Sequence, residues 1–409
     1  MNVLVLNCGS SSVKFRLFQM NRSEVLSEGR IEKIGSCDSF LVCRIPGKDE
    51  TKEYLPVKTH KEAVDLVLKA ISDPKHKSID DVQEIEAVGH RVVHGGDAFS
   101  DSVLINEEVL QKIKACIPLA PLHNPPNIMG IEASLWLMPF ARQVAVFDTA
   151  FHQTMEAHAY LYALPYEWYE KKRIRRYGFH GTSHRYVAEK AVQFIGNSEK
   201  ELKLITCHLG NGSSITAIKN SKSVETSMGF TPLEGIVMGT RCGDVDPAIP
   251  LHIMKEEGLA PEEMDVILTQ KSGLLGITGG DYDLRTIEEK AKAGSARHFL
   301  ALKIFAHRVK KYIGAYAAIM GGLDGLVFTG GIGENSSTIR SMICEDLEFL
   351  GIELNGIYNK ENHLNIERGE TPVMVIPTNE ELAIAQETMC VLLKEKQQIE
   401  MNEILSCQS

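Results

Sequence analysis

Val3-Leu4-Val5-Leu6-Asn7-Cys8-Gly9-Ser10-Ser11-Ser12-Val13-Lys14-Phe15 and Ile205-Thr206-Cys207-His208-Leu209-Gly210-Asn211-Gly212-Ser213-Ser214-Ile215-Thr216-Ala217 follow one pattern. Each reads as a buried strand, a Gly/Asn/Ser turn and a second strand. Glycine lets backbone approach a ligand closely, and clustered N–H and hydroxyl donors suit phosphate oxygens. Two copies point to two related halves, each presenting a phosphate-binding hairpin, with a nucleotide gripped in a cleft between them. Commoner nucleotide motifs do not fit. A P-loop needs G-x-x-x-x-G-K-[ST] between strand and helix. Here Val13, Phe15 and Leu17 alternate with Lys14 and Arg16, which is strand periodicity. Gly331-Ile332-Gly333-Glu334-Asn335-Ser336 lacks the third glycine of a Rossmann turn.

Composition narrows the class. The 409 residues suffice for two or three domains, with 44% hydrophobic and 24% charged residues. A formal charge of −10 argues against nucleic acid as the main partner. The one basic run, Lys171-Lys172-Arg173-Ile174-Arg175-Arg176, reads as a solvated surface turn, with the alternative that part of it borders an anionic active site. Nine cysteines without a C-x-x-C pair fit reduced thiols better than a disulfide framework or zinc site. No stretch approaches the ~20 apolar residues of a membrane span. The short N-terminal apolar run has no basic leader, so a cytoplasmic location is expected.

Along the chain, strands and helices alternate in α/β fashion. Strands are expected at Val3–Leu6, Val13–Phe18, Ala87–Val93, Gln143–Phe147, Leu202–Cys207, Gly325–Thr329 and Val373–Ile376. Helices are expected at Lys61–Ile71, Asn127–Phe140 and Phe299–Met320. A further helix places Ile339, Ile343, Leu347 and Leu350 in register, and Thr378 with Glu381 forms a capping box for a final helix. Ile117–Pro126 is proline-rich and reads as loop. Cys37–Tyr54 is strand-like but unassigned, and the polar tail beyond Lys394 is expected to fray. His90 and His94 are spaced i, i+4, but the β-branched run around them argues for a strand rather than a zinc-binding helix.

Asn7 through Lys14, the two hairpins, Tyr177-Gly178-Phe179-His180-Gly181-Thr182-Ser183-His184 and Thr378-Asn379-Glu380-Glu381 resemble the acetate kinase family over roughly Met1 to Ala385. The resemblance implies the fold of sugar kinases, Hsp70 and actin: two related α/β domains with the active site in the interdomain cleft. Residues 1–147 with 386–409 would form one domain and 148–385 the other. It also implies a homodimer, acetate and acetyl phosphate as substrates, and ATP/ADP with Mg2+, for which Mn2+ can substitute.

Phosphoryl transfer is mostly positioning and charge neutralisation. A carboxylate acceptor adds negative charge, and arginine forks bind such anions in pairs. By the resemblance, Arg91 and Arg241 bracket the acyl carboxylate and the moving phosphoryl group, and His180 stabilises the transition state. Asp148 ends a buried strand, the usual edge for α/β sites. Acetate is already ionised at pH 7, with carboxyl pKa values near ~4, so a general base is not needed. The resemblance implies that Asp148 is catalytic, and orienting magnesium or its waters is the more economical role for it. Asn7 and Glu380 resemble the family's metal residues. Ser12, Lys14, the run His208, Leu209, Gly210, Asn211, Gly212, then Asp283, Leu284, Arg285, and Gly331, Ile332, Gly333, Glu334, Asn335 resemble its ATP-contacting segments. Val93, Leu122, Phe179 and Pro232, with His123 adjoining, look like its small apolar acyl pocket. Two alternatives are a propionate kinase and, in a different class, an Hsp70- or actin-like ATPase. The latter has no need of Arg91, Arg241 and an apolar pocket beside the γ-phosphate.

Overall fold

Side-chain alternation in the opening stretch builds the first sheet. Leu4, Leu6 and Cys8 face one side, where they pack with Ala63, Val64 and Val67 of the helix His60–Ser72. Val3 and Val5 face the other, against Val144, Val146, Ile384 and Ala385. The computed structural model describes residues 1–73, 78–196 and 201–407, with side chains of the last helix described to 401. The chain divides into two units, Met1–Ala150 with Asn379–Ser409, and Phe151–Thr378.

The first unit holds β1 (Asn2–Cys8), β2 (Ser12–Gln19), β3 (Glu24–Glu32), β4 (Phe40–Arg44), β5 (Thr51–Tyr54), β6 (Ile85–Val92), β7 (Val103–Leu104) and β8 (Arg142–Phe147). They form one sheet in the order β5-β4-β3-β2-β1-β6-β8-β7. The unassigned Cys37–Tyr54 stretch thus supplies edge strands β4 and β5. The final helix, Glu380–Cys407, lies over β6. Gly89 permits this, because a Cβ there would collide with Thr388 Oγ1 and Ile384.

The second unit holds β9 (Lys203–Leu209), β10 (Ser213–Lys219), β11 (Lys222–Thr226), β12 (Gly325–Thr329) and β13 (Val373–Val375), ordered β11-β10-β9-β12-β13. β9 pairs antiparallel with β10 and parallel with β12, as β1 pairs antiparallel with β2 and parallel with β6. The same strand order, β3-β2-β1-β6-β8, sits within the first sheet. The repeated hairpin is therefore the visible part of a repeated half. The long helix Ala296–Met320 buries Phe305, Val309 and Ile313 against one face, and Gly181–Ile195 buries Val187 and Ala191 against the other.

Several local expectations change. The proline-rich stretch includes a helix: Asn124–Leu137 starts with Pro125 and Pro126 in its first turn, where a missing N–H costs nothing. The final helix is capped by Asn379, whose Oδ1 accepts from Leu382 N at 3.1 Å, rather than by Thr378. That helix continues through Cys407 instead of fraying at Lys394. The helix Ser337–Cys344 stops before Leu347, and Asp346 adopts φ 59°. The basic run is solvated only in part, with Lys171, Lys172 and Arg173 exposed. Arg175 is buried with its guanidinium 3.5 Å above the Tyr160 ring, and Arg176 donates to the carbonyls of Thr226 and Met228 and to Glu234. The unit boundaries fall at 150 and 379, so Asp148 and Glu380 belong to the first unit, because the whole final helix packs there.

Candidate active site

In the first unit the candidate residues gather at the carboxyl ends of parallel β1, β6 and β8. Leu6 pairs with His90 and Arg91 with Val146, so Asn7, Arg91 and Asp148 emerge at one edge. Arg91 Nε donates to Asp148 Oδ1 at 3.0 Å, and Nη2 donates to Oδ2 at 2.7 Å. This is a two-point fork on a carboxylate that is only 3% exposed. Its charge strengthens the hold of Arg91 on its proton. Both Asp148 oxygens are engaged by Arg91, an arrangement the sequence did not disclose.

Glu380, half-buried at the first turn of the final helix, faces the same edge. Burial pushes its carboxyl pKa up from 4.5. Arg91 and Lys14 pull it down, and Asp148 and Glu381 push it further up. Lys14 stands opposite Asn7 across the first hairpin, and Gly9 N donates to Ser12 O at 2.8 Å to close the turn. Val93 is buried one residue beyond β6, and its N–H is held by Asn127 Oδ1 at 3.0 Å. Leu122 is 72% exposed and His123 is exposed at the start of the Asn124–Leu137 helix.

In the second unit His180 has φ 56°, a left-handed conformation uncommon outside glycine, and precedes the helix Gly181–Ile195. Its ring stacks on His208 with centroids 4.4 Å apart. A Cβ built on Gly212 would stand 3.6 Å from His180 Nε2 and 3.7 Å from Arg241 Nη1. The imidazole and the guanidinium thus converge on the glycine of the second hairpin. Arg241 donates to Pro232 O at 3.2 Å, and among the described residues no carboxylate pairs with it. Burial lowers its pKa from 12.5. Asn211 ties hairpin to loop: its carbonyl accepts from Gly239 N at 3.1 Å, and its Oδ1 fills the place of a Gly239 Cβ. Phe179 is buried beside His180.

The segments expected to contact ATP divide. Leu209 and Leu284 are buried in the core and Ile332 packs against it, so these three offer a ligand only backbone. Asp283 caps the helix Leu284–Lys292 through Arg285 N and pairs with the exposed Arg285. Gly330–Asn335 is a short helix rather than a loop. Its Glu334 Oε1 accepts from Gly330 N at 2.9 Å and Thr378 N at 3.1 Å, so it braces this corner. Asn335 Nδ2 donates to Gly331 O at 2.9 Å. Sequence reasoning missed the polar groups behind the site, Ser183, His184, Ser214 and Thr378. Ser183 and His184 stand in the quoted 177–184 motif, but only pairing across the sheet gives them partners.

Oxygen donors from Asn7 and Glu380, amid the crowded charges of Asp148, Glu380 and Glu381, fit Mg2+. That ion takes one or two carboxylates and keeps its waters rather than needing a full protein cage. Among the described residues no group of three His, Cys, Asp or Glu forms such a cage.

The pattern of the acetokinase family matches residues 2–386. The acetate kinase of Dictyoglomus turgidum is 55% identical over 396 residues, 96% of this chain and 98% of that protein. The crystal structure of Porphyromonas gingivalis acetate kinase superposes with TM-score 0.93 at 48% identity, covering 96% of this chain and 99% of that one. A propionate kinase from Francisella tularensis superposes with TM-score 0.90 at 45% identity, covering 95% and 99%.

Proposed function

The chain belongs to the acetokinase family, and from that premise we propose how its residues phosphorylate acetate, a phosphoryl transfer from ATP to a carboxylate acceptor that gives acetyl phosphate and ADP. The observation that carries the assignment is the convergence of His180 and Arg241 on Gly212, where among the described residues no carboxylate pairs with Arg241. Such a place suits a phosphoryl group whose charge spreads over its oxygens in the transition state. Arg241 stabilises the phosphoryl oxygens as a charge, and His180 donates from Nε2. Arg91 binds the acetate carboxylate with its Nη1 donors while Asp148 fixes the guanidinium from behind. Asp148 is therefore a positioning residue, and the ionised acid needs no base.

Asn7 and Glu380 would hold Mg2+, with Lys14 nearby to offset phosphate charge. When bound, the ion neutralises the nucleotide phosphates and polarises the bond to the transferred group. The Ser12–Lys14 and His208–Gly212 hairpins, Asp283–Arg285 and the Gly331–Asn335 corner bind ATP/ADP, chiefly through backbone at Leu209, Leu284 and Ile332. Val93, Leu122, Phe179 and Pro232, beside His123, receive the acyl methyl. The enzyme works as a cytoplasmic homodimer. Free buried thiols at Cys8, Cys43, Cys116, Cys207 and Cys344 suit a reducing compartment, and among the described residues no helix is long and apolar enough to cross a membrane.

Replacing Arg241 by alanine tests the central assignment. Loss of one transition-state donor should cut kcat by ~10²–10³, with ATP affinity by calorimetry within a few-fold. An unchanged kcat removes Arg241 from the site. A second reading, a preference for propionate, is favoured by the likeness to the F. tularensis propionate kinase, and relative kcat/KM for the two acids decides it.

A further inference from the structure

Behind His180 runs a line of buried polar groups that the transfer reaction does not itself require. Ser214 Oγ lies 2.9 Å from His180 Nδ1 and 2.6 Å from His184 Nε2. On the far side, His184 Nδ1 lies 2.7 Å from Thr206 Oγ1. Ser214, His184 and Thr206 are fully buried. Each hydroxyl has one proton, and a neutral imidazole has one donor and one acceptor nitrogen. Burial, together with the neighbouring His152 and His208, pushes the His184 pKa well below 6.5, so that ring is neutral at pH 7.

Two directions of donation satisfy the nitrogens, but one fails at its end. If His180 Nδ1 donates to Ser214, Ser214 to His184 and His184 to Thr206, the Thr206 hydroxyl proton, in a buried place, has no acceptor among the described residues. An unmade buried donor is costly. In the opposite direction Thr206 donates to His184 Nδ1, His184 Nε2 to Ser214, and Ser214 to His180 Nδ1. Every proton then has an acceptor, and the His180 proton rests on Nε2, the atom facing Gly212 beside Arg241.

We propose that Thr206, His184 and Ser214 form a positioning relay that fixes the tautomer of His180, so that a neutral imidazole presents its Nε2–H to the transferring phosphoryl group. The inference rests on the assignment of His180 to the reaction. It gives His180 a role that does not depend on carrying charge. The left-handed backbone at His180 belongs to the same device, since it places a ring at the helix start with Nδ1 toward Ser214. The groups facing these rings are His208 stacked on His180, His152 edge-on to His184, and Arg241 across Gly212.

The test is nitrogen NMR on the full enzyme labelled with 15N-histidine, with the His180 signals assigned by their loss in His180→Ala. The relay predicts a protonated Nε2 and a bare, hydrogen-bonded Nδ1 at pH 7. Ser214→Ala and Thr206→Val should mix the tautomers and lower kcat about tenfold, near the worth of one hydrogen bond. KM for acetate and ATP should stay within about twofold, which a general loosening of the fold would not produce. The wild-type spectrum needs no variant to fold. A proton on Nδ1, or an imidazolium at pH 7, overturns the relay even if His180→Ala is inactive. If His180→Ala keeps the wild-type rate, the site assignment falls and the relay falls with it.

Discussion

At the scale of single residues, the two arginines share a chemistry but differ in what removing them leaves behind. Arg91→Ala strands the Asp148 carboxylate, 3% exposed, without its partner. Breaking a buried pair costs up to about 3–5 kcal/mol. Arg241→Ala strands no charge, since its acceptors are the Pro232 carbonyl and the Met238 sulfur. Both variants should lose kcat, but only Arg91→Ala should show a large fall in Tm. Equal melting temperatures would mean that Asp148 does not depend on Arg91. Glu380 gives a pH-dependent prediction. Its folded pKa is raised above 4.5, mainly by burial, so its contribution to stability is present below the unfolded value and lost as pH rises through the folded one. A divalent cation binds the ionised form. The rise in Tm on adding Mg2+ should therefore be large at pH 7, shrink toward pH 4.5, and lose that pH dependence in Glu380→Gln. The same pH profile in Glu380→Gln would exclude Glu380 as a ligand. Val93 gives a third. One methylene is worth only ~1–3 kcal/mol of discrimination in an apolar pocket. Val93→Ala should raise kcat/KM for propionate relative to acetate, and an unchanged ratio would show that Val93 is not the wall.

At the scale of elements, Glu334 holds the start of its own helix and the turn before the final helix through two backbone N–H groups. Hydrogen bonds to a charged group contribute ~1.5–3 kcal/mol each. Glu334→Ala should lower stability by about that amount and raise KM for ATP, because the Gly330–Asn335 corner loosens. An unchanged Tm would show the brace to be dispensable. Gly330 suits the corner for a reason a sequence only hints at: its φ is 76°, and a Cβ there would press on the Leu209 carbonyl. These elements also show where sequence reading stops. The hairpins were legible because turn chemistry and period-two alternation are local. The first turn of the Asn124–Leu137 helix was not, because prolines that break helices elsewhere are tolerated there. The Thr378–Glu381 spacing promised a capping box, yet Asn379 caps the helix and Thr378 turns toward Ser183 at 2.8 Å. The Arg175–Arg176 pair read as solvated because the carbonyls and ring that receive it lie up to some fifty residues away. Likewise, Arg91 and Asp148 were both candidates, but their fork needed the β6–β8 register to appear.

At the scale of the whole molecule, the repeated strand order explains why two hairpins with one pattern exist. The first half orders a cation through a carboxylate, Arg91 on Asp148. In the second, no carboxylate among the described residues pairs with Arg241, and His180 lies against the Ser214 hydroxyl and the His208 ring. That difference suits a first cluster that holds substrate and metal and a second that meets charge as it moves. The most direct test is the initial rate of ADP release by the wild-type enzyme with Mg-ATP, measured without acid, with acetate and with propionate, while hydroxylamine traps the acyl phosphate. The account predicts little turnover without acid, acyl hydroxamate equal to ADP with acetate, and a lower kcat/KM with propionate. ADP release that is independent of acid and yields no hydroxamate would contradict it.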